Sequence, residues 1–571
     1  MKLVTADQMR ALERRADKSG NTYAMMMERA GQAVADAISE RWGARAQRVL
    51  VLVGPGNNGG DGLVCARYLR DAGVPVSLYV WKRAESAADE NFKLCRDRNL
   101  ATTRAEEDTN FVALKKFLAN TDIIVDALLG TGVTRPIDGL LKELLGVVKS
   151  RQGDKVTGRQ GEETSHLVTL SPRHLVSPSR IVVAVDLPSG LNPDTGALDP
   201  AALNADLTVT FAFPKIGQLT FPGANAVGEL VVADIGIAET AEVWKTLEVL
   251  DVATARAIAA RLPARARDSH KGTFGKAMIC AGSANYVGAA FLAGAAATRA
   301  GAGLVTLALA RTIYPMIASA LHETTFVVLP DDLGALVPDA VRVLNDHLTG
   351  YDALLIGCGF GRDEKTIEFV QRLLGLGTKA KGQIGFVPQG EERGETPTEL
   401  PRLVIDADAL FALAQSRREA WWTRLAPNRA ILTPHPGEMA TLTGLSRDAV
   451  QADRVNVARK FAAQWQQVVV LKGAHTVVAA PDPSTPLRVR ATLLPFATPA
   501  LATAGTGDVL AGAIVAMLAQ GLQLYDAAIV GAYLHGLAGE IAQRELGDAG
   551  VVAGDLLTRL PVAIRQLMRD A

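Results

Sequence analysis

A chain of 571 residues is longer than one hydrophobic core usually serves, so two domains are expected. Its 60 Lys and Arg balance 60 Asp and Glu, which leaves no basic excess for phosphates and argues against a nucleic-acid or anionic-membrane binder. The four cysteines, Cys65, Cys95, Cys280 and Cys358, form no CxxC pair and read as buried apolar residues of a reducing compartment. The first 20 residues are charged throughout, without the apolar core of a signal peptide, and the longest apolar region, Gly288 to Ala310, is broken by Arg299 and glycines. A soluble, cytoplasmic protein is the expectation.

In chain order, Thr5-Ala6-Asp7-Gln8 is a capping-box pattern that predicts a helix to about Lys18. A second helical pattern runs from Tyr23 to Trp42 and stops at Gly43, with Met26, Met27, Ala30 and Val34 as a core stripe. Arg48–Val53 predicts a buried strand, followed by GPGNNGGDG (54–62) and a helix from Leu63 to Asp71. Five glycines in nine residues between strand and helix suit a phosphate cradle, although neither the Walker A nor the GxGxxG spacing is present. Asn57, Asn58 and Asp61 add side-chain oxygens that a plain turn would not require.

Further strands are predicted at Pro75–Trp81, Ile123–Ala127, Ile181–Val185, Leu207–Phe213 and Glu229–Val232. Such alternation with helices predicts a doubly wound parallel α/β sheet with ligands at the carboxyl ends of its strands. Three of those ends carry polar residues: the glycine loop; Asp126 with Gly130-Thr131-Gly132-Val133-Thr134-Arg135-Pro136; and Asp186-Leu187-Pro188-Ser189-Gly190. Each carboxylate alone is an ordinary N-cap candidate. Together they offer two acids and oxygen ligands suited to a hard cation.

MERAG (27–31), GPGNNGGDG, DALLGTGVTRP, DLPSG and TFAFPK, in this order, resemble the NAD(P)H-hydrate epimerase family. The resemblance implies a Rossmann-like three-layer domain over residues 1–240 that interconverts the R and S forms of hydrated NADH and NADPH. By it, Asn57, Asn58, Gly59, Gly60, Asp61 and the residues Gly130, Thr131, Gly132, Val133, Thr134, Arg135 and Pro136 would hold the dinucleotide. Asn58, Asp126 and Ser189 would ligate a potassium ion, and Asp186 would bind substrate and carry the acid–base step. Ser150 to Arg180 is polar and aperiodic and reads as an inserted surface loop.

The pattern loosens over Ile237–Ala253, where the domain boundary is expected, with the second domain taken as 241–571. New strands are predicted at Lys276–Ala281, Leu304–Ala310, Phe326–Leu329, Ala353–Ile356, Leu403–Ile405, Ala430–Leu432 and Val468–Leu471, with a second polar insertion from Gly375 to Arg402. An Ala- and Gly-crowded helix, Ala289 to Ala300, reads as tight packing. Notable strand exits are GCGFG (357–361), DAD (406–408), TPHPGE (433–438) and KGAHT (472–476). His435, stiffened between two prolines, is a candidate for substrate contact. The half ends on TAGTGDVLAG (503–512), a glycine turn opening a helix from Val509 to Ala519 that Gly521 closes. Orphan N–H groups and the helix dipole make such a turn an anion site, and Asp508 beside it can take a proton from a hydroxyl as phosphoryl charge develops.

KGTFGKAMICAGSANYVGAAFLAGAAATRAGAGLV with TPHPGE, LKGAHT and AGTGDVLAG resembles the ribokinase-like ADP/ATP-dependent NAD(P)H-hydrate dehydratases. The two resemblances together imply a fused, bifunctional repair enzyme, an isomerase joined to a lyase. Ala289, Gly359, His435 and Asp508 would meet the hydrated dinucleotide. Lys472, Gly473, Ala474, His475, Thr476 and Gly507 would bind ADP or ATP, with Mg2+ as its counter-ion, and Asp508 would be the catalytic base. Small molecules are the expected partners, with neither nucleic acid nor membrane, and a homo-oligomer is the expected assembly. Two other readings stay open: a small-molecule kinase on the same scaffold, and a non-catalytic ligand-sensing module in the first half.

Overall fold

The computed structural model describes residues 1–43, 48–84, 89–132, 135–150, 180–237, 250–376, 399–416, 420–482 and 485–569. It divides into two compact units, Lys2–Glu248 and Val249–Ala571 with Met1. Most of both polar insertions lies outside the described residues, as do Val133 and Thr134.

In the first unit Thr5 caps helix α1 (Ala6–Lys18) in a reciprocal capping box with Gln8, and its buried Met9, Leu12 and Ala16 keep helical spacing. Helix α2 (Tyr23–Trp42) follows and ends at Gly43. The sheet is built from β1 (Val49–Val53), β2 (Val76–Val80), β3 (Ala101–Arg104), β4 (Ile123–Ala127), β5 (Ile181–Val185), β6 (Leu207–Phe211) and β7 (Glu229–Ala233). Its order is β3-β2-β1-β4-β5-β6-β7, and every pairing is parallel. Alternate residues of β1 sort to opposite faces: Val49, Val51 and Val53 join the core beneath α2, whereas Leu50 and Leu52 join the other. That sorting makes three layers, in the Rossmann strand order. The order reverses between β1 and β4, so the crevice for a ligand lies outside their carboxyl ends.

The second unit holds β8 (Leu250–Val252), β9 (Lys276–Cys280), β10 (Leu304–Ala310), β11 (Thr325–Leu329), a small hairpin β12–β13 (Asp331–Asp332, Ala335–Leu336), β14 (Ala353–Ile356), β15 (Arg402–Ile405), β16 (Ala430–Leu432), β17 (Val468–Leu471), β18 (Val477–Asp482) and β19 (Thr485–Leu493). The main sheet runs β11-β10-β9-β14-β15-β16-β17-β18-β19-β8. It is parallel through β17, but β18 and β19 add an antiparallel hairpin and β8 pairs parallel to β19. Leu250–Val252, within the stretch expected to be a boundary, is therefore an edge strand of this sheet. Two helices carry the site: α3 (Val287–Arg299), next to β9, and α4 (Thr506–Ala519), whose residues from Val509 to Ala519 are all buried. Gly512 lets them close, since a Cβ there would stand 2.8 Å from the Cβ of Ala296. No described helix is long and apolar enough to cross a membrane.

Candidate active sites

In the first unit the helix after β1 spans Asn57–Asp71 and is capped by Gly56, so Asn57 to Gly62 form its first turns and not a loop ahead of it. Packing overrides the low helix propensity of glycine here. A Cβ on Gly59 would strike the carbonyl oxygen of Gly54, and one on Gly62 would stand 2.5 Å from the Cβ of Ala127. The unobstructed helix start thus lies directly on the ends of β1 and β4, with the orphan N–H groups of its first turn beside the crevice. Arg83 braces this turn, donating to the carbonyls of Gly56 (2.9 Å) and Gly54 (3.2 Å).

Asn58, Asp126 and Ser189 come together through one hydrogen-bonded loop. Asn58 Nδ2 donates to the carbonyl of Leu129 (3.0 Å), and the N–H of Leu129 donates to Ser189 Oγ (3.0 Å). Ser189 donates to Asp126 from Oγ (2.6 Å) and from its backbone N–H (2.8 Å). Asp126 is fully buried, and that burial pushes its carboxyl above the usual range although Ser189 and the Leu128 N–H donate to it. Its hydrogen-bond donors are all neutral, so a cation at this point would supply the missing charge. The adjoining loop follows: Gly130 faces Asn58, the carbonyl of Thr131 accepts from Arg10 (3.3 Å), Gly132 is exposed, and Arg135 and Pro136 are exposed.

Asp186 ends β5 with φ +62°, and the N–H of Leu187 bonds back to the carbonyl of Val185 (2.7 Å), a strained three-residue turn. The neighbouring β6 ends the same way: Ala212 has φ +57°, and Phe213 N–H donates to the Phe211 carbonyl (2.6 Å). These paired turns bring Lys215 against Asp186. Lys215 Nζ donates to Asp186 Oδ1 (2.5 Å) and to Thr210 Oγ1 (2.9 Å), while Thr210 donates to the same Oδ1 (2.9 Å). Two more acids share this charge field. Glu13 of α1 is raised by burial and then by Asp186, and buried Asp61 is raised well above its ordinary value by burial, then by Asp186 and Glu13. Sequence reasoning assigned no role to Lys215 or Glu13: their partner lies 29 and 173 residues away along the chain, and although Lys215 ends the TFAFPK motif, nothing local shows what it meets.

The second site sits at the switch between β9 and β14, where Gly282 N–H donates to the carbonyl of Cys358 (2.8 Å). Helix α4 begins at Thr506, earlier than the Val509 expected, and Gly505 caps it with φ +87°. Asp508 therefore lies in the first turn. Its carboxylate, that of Asp406 and the Cys358 thiol bring one ligand atom each within 4.8 Å of one another. Lys472 Nζ donates to Asp406 Oδ1 (2.8 Å), lies 3.6 Å from Glu438, and would be 3.6 Å from a Cβ on Gly507. Burial, and then the Asp406 charge, push Asp508 up to about 6; a hydrogen bond from Cys358 and the charge of Lys472 oppose the rise. Burial disfavours the Lys472 ammonium, but Asp406 and Glu438 outweigh it and hold the group above its usual value.

Gly359 takes φ +62° against α3, where a Cβ would come within 2.5 Å of the Ala289 Cβ, so these two expected substrate contacts are neighbours. His435 caps the short helix Pro436–Thr443: Nδ1 accepts from the N–H groups of Gly437 (3.0 Å) and Glu438 (3.1 Å), and Nε2 stands 3.4 Å from Glu438. One ring nitrogen is thus taken by capping, and the half-exposed ring links through Glu438 to Lys472. Gly473, Ala474, His475 and Thr476 make the turn after β17: His475 N–H donates to the Phe496 carbonyl (2.8 Å) and Thr476 Oγ1 to the Gly473 carbonyl (2.9 Å). Arg454 holds this turn from behind by donating to the carbonyls of Leu471 (3.0 Å) and Lys472 (3.2 Å), and burial lowers it to about 10. Asp406 and Glu438 are the residues that the sequence reading left without a role.

The family model described as NAD(P)H-hydrate dehydratase matches residues 277–561, and that of the YjeF-related protein N-terminus matches residues 23–217. A bifunctional NAD(P)H-hydrate repair enzyme of Moorella thermoacetica is 36% identical over 579 residues, covering 100% of this chain and 98% of its own length. The protein of that name in Escherichia coli is 32% identical over 574 residues, covering 99% of this chain and 94% of its own length. Among solved structures, an ADP/ATP-dependent NAD(P)H-hydrate dehydratase from Bacillus subtilis, co-crystallised with ATP and Mg2+, is 30% identical over 56% of this chain and 98% of its own, with a TM-score of 0.43.

Proposed function

The chain belongs to the family of bifunctional NAD(P)H-hydrate repair enzymes, and from that premise we propose how its residues divide the work between two sites. It is an epimerase of the R and S hydrates joined to a dehydratase that restores NAD(P)H from the S form. The observation that supports the second half of this reading best is Asp508, raised to about 6 at the glycine-opened start of α4 and close to Lys472.

A hydroxide is a poor leaving group, so the dehydratase first moves a phosphoryl group from ADP or ATP onto the ring hydroxyl. Asp508 takes the hydroxyl proton, while the N–H groups of the glycine turn and Lys472 stabilise the charge on the transferring group. The ring nitrogen's lone pair then expels phosphate to leave an iminium, and the ring carbon next to the one that bore the hydroxyl gives up its proton to solvent, which re-forms the carbon–carbon double bond and neutralises the nitrogen. Gly473 to Thr476 and Gly507 hold the nucleotide, with Mg2+ as the counter-ion of its phosphates; Ala289, Gly359 and His435 contact the hydrate.

In the first site, Asn57 to Asp61 and Gly130 to Pro136 receive the dinucleotide, and Asp186 moves the proton on the ring hydroxyl as a bond of the carbon bearing it opens and re-forms on the other face. Asn58, Asp126 and Ser189 would hold a potassium ion, which would supply positive charge at the helix start that receives the dinucleotide. The buried Asp126, satisfied only by neutral donors, favours that assignment. The substrates keep this reading in the cytoplasm, where NADH and NADPH circulate.

The test is recovery of dihydronicotinamide absorbance from an R/S mixture of NADH hydrate, with ADP, with ATP and without nucleotide. Complete, nucleotide-dependent recovery is expected. A stall after the S form is consumed removes the epimerase assignment, and accumulation of a stable phosphorylated product turns the second half into a kinase.

A further inference from the structure

We propose that Lys215 is a positioning residue of the epimerase site, clamping one oxygen of the Asp186 carboxylate with Thr210 and leaving the other to act on substrate. The inference rests on the reading of Asp186 as the acid–base group and goes beyond it by naming what makes that group competent.

The two residues are fastened twice. Their side chains meet at Oδ1, where both the Lys215 ammonium and the Thr210 hydroxyl donate. Their backbones are stitched by Gln218, whose Nε2 donates to the Asp186 carbonyl (2.7 Å) and whose Oε1 accepts from the Lys215 N–H (2.7 Å). Asp186 is the positive-φ residue of one strained turn and Lys215 follows the other, that of Ala212, at the ends of adjacent strands, and backbone strain of that kind persists where the surroundings over-determine a geometry. Exposure assigns the roles: the Lys215 side chain retains 1% of its surface and the Asp186 side chain 13%, so the carboxylate faces the crevice and the ammonium stands behind it.

The clamp answers a particular electrostatic difficulty. Asp186 shares its surroundings with Glu13 from α1 and Asp61 from the helix start at Asn57, both of which repel a third negative charge. Lys215 is the largest positive charge offsetting both of them, ahead of Arg10 and Arg14 for Glu13 and ahead of Arg83 for Asp61. Of these cations Lys215 is the one bonded to Asp186 itself, where its charge opposes that repulsion.

The test follows R-to-S exchange of purified R hydrate by chromatography, in the full-length chain carrying Asp508→Asn so that the second site does not consume the product. Lys215→Gln is expected to lower kcat about a hundredfold at pH 7, with KM within about threefold, and to move the acidic limb of the pH profile up by about one unit or more. Thr210→Val, isosteric in the buried strand β6, is expected to move that limb the same way by less. A limb that stays put in both variants overturns the proposal, as does a raised KM with unchanged kcat, which would make Lys215 a substrate contact. If Lys215→Gln does not fold, Thr210→Val decides alone. Asp186→Asn run alongside separates the two levels: a retained rate removes the reading of Asp186, whereas a lost rate with unmoved limbs removes only the role of Lys215.

Discussion

Lys472 donates from Nζ to Oδ1 of Asp406 across 2.8 Å, with 16% and 2% of the two side chains exposed. That pairing sets two neighbouring acids apart. Asp406 is committed to an ammonium and to the Thr433 hydroxyl (2.6 Å), while Asp508 is left as the carboxylate that burial and Asp406 raise to about 6. Environments that separate two carboxyl groups in this way distinguish a structural acid from a working base.

The pH dependence of dehydration follows from that value. A base must be ionised to accept the hydroxyl proton, so kcat/KM with the S hydrate should fall about tenfold per unit as pH drops below about 6. Lys472→Met removes a charge that lowers Asp508, so the limb should move to higher pH. Initial rates of absorbance recovery between pH 5 and 8 provide the check; a limb near pH 4 would mean that another group is the base.

The same shift has a stability consequence of opposite sign to the usual carboxylate case. The folded value near 6 exceeds the 3.8 of an ordinary aspartate, so folding favours the protonated form. Asp508 therefore destabilises the second unit above about pH 6, and that penalty fades as pH falls toward 4. Asp508→Asn should raise stability at pH 8 by on the order of 1–3 kcal/mol, a few degrees in Tm, and change it little at pH 4. Thermal unfolding at the two pH values measures the difference.

The two sites should separate by mutation. Asp508→Asn is expected to lower dehydration about a thousandfold while R/S exchange continues, and Asp186→Asn to spare dehydration of the S form while slowing consumption of the R form. Loss of both activities in Asp508→Asn would break the two-site reading.

What the sequence made legible was local chemistry at strand ends. A buried run such as VLVLV flowing into five glycines announces a strand and a close backbone approach, because few other roles tolerate so many missing side chains. The helix start at Asn57 was misjudged because the contact that favours helix there, Gly59 on Gly54, is a packing constraint that propensity does not contain. The hairpin of β18 and β19 was missed because prolines break its alternation, and antiparallel edge pairing needs less continuous apolar sequence than a central parallel strand. Lys215 lay inside a quoted motif, yet its pairing with Asp186 is created by two adjacent strand ends and has no signature along the chain.

Cation dependence tests the first site independently of Asp186. Replacing KCl by choline chloride should slow R/S exchange, and Asp126→Asn should abolish that response, since the buried charge that calls for a cation is gone. Exchange rates over a KCl titration in both proteins are the measurement, and an equal response in the variant would remove Asp126 from the site.

Gly505 tests whether the anion turn depends on its geometry. Its φ of +87° costs a residue with a Cβ about 1–2 kcal/mol, and that Cβ would also stand 2.6 Å from the Leu292 Cδ1 on α3. Alanine must either push Leu292 aside or rotate the first turn of α4, and the second course carries Asp508 and Gly507 away from Lys472. Gly505→Ala should therefore cut dehydration at least about tenfold, with a loss of about 1–3 kcal/mol in stability, and leave R/S exchange at the rate of the unaltered chain. An unchanged dehydration rate, with stability lowered by the expected amount, would mean that the turn holds the helix but not the transferring group.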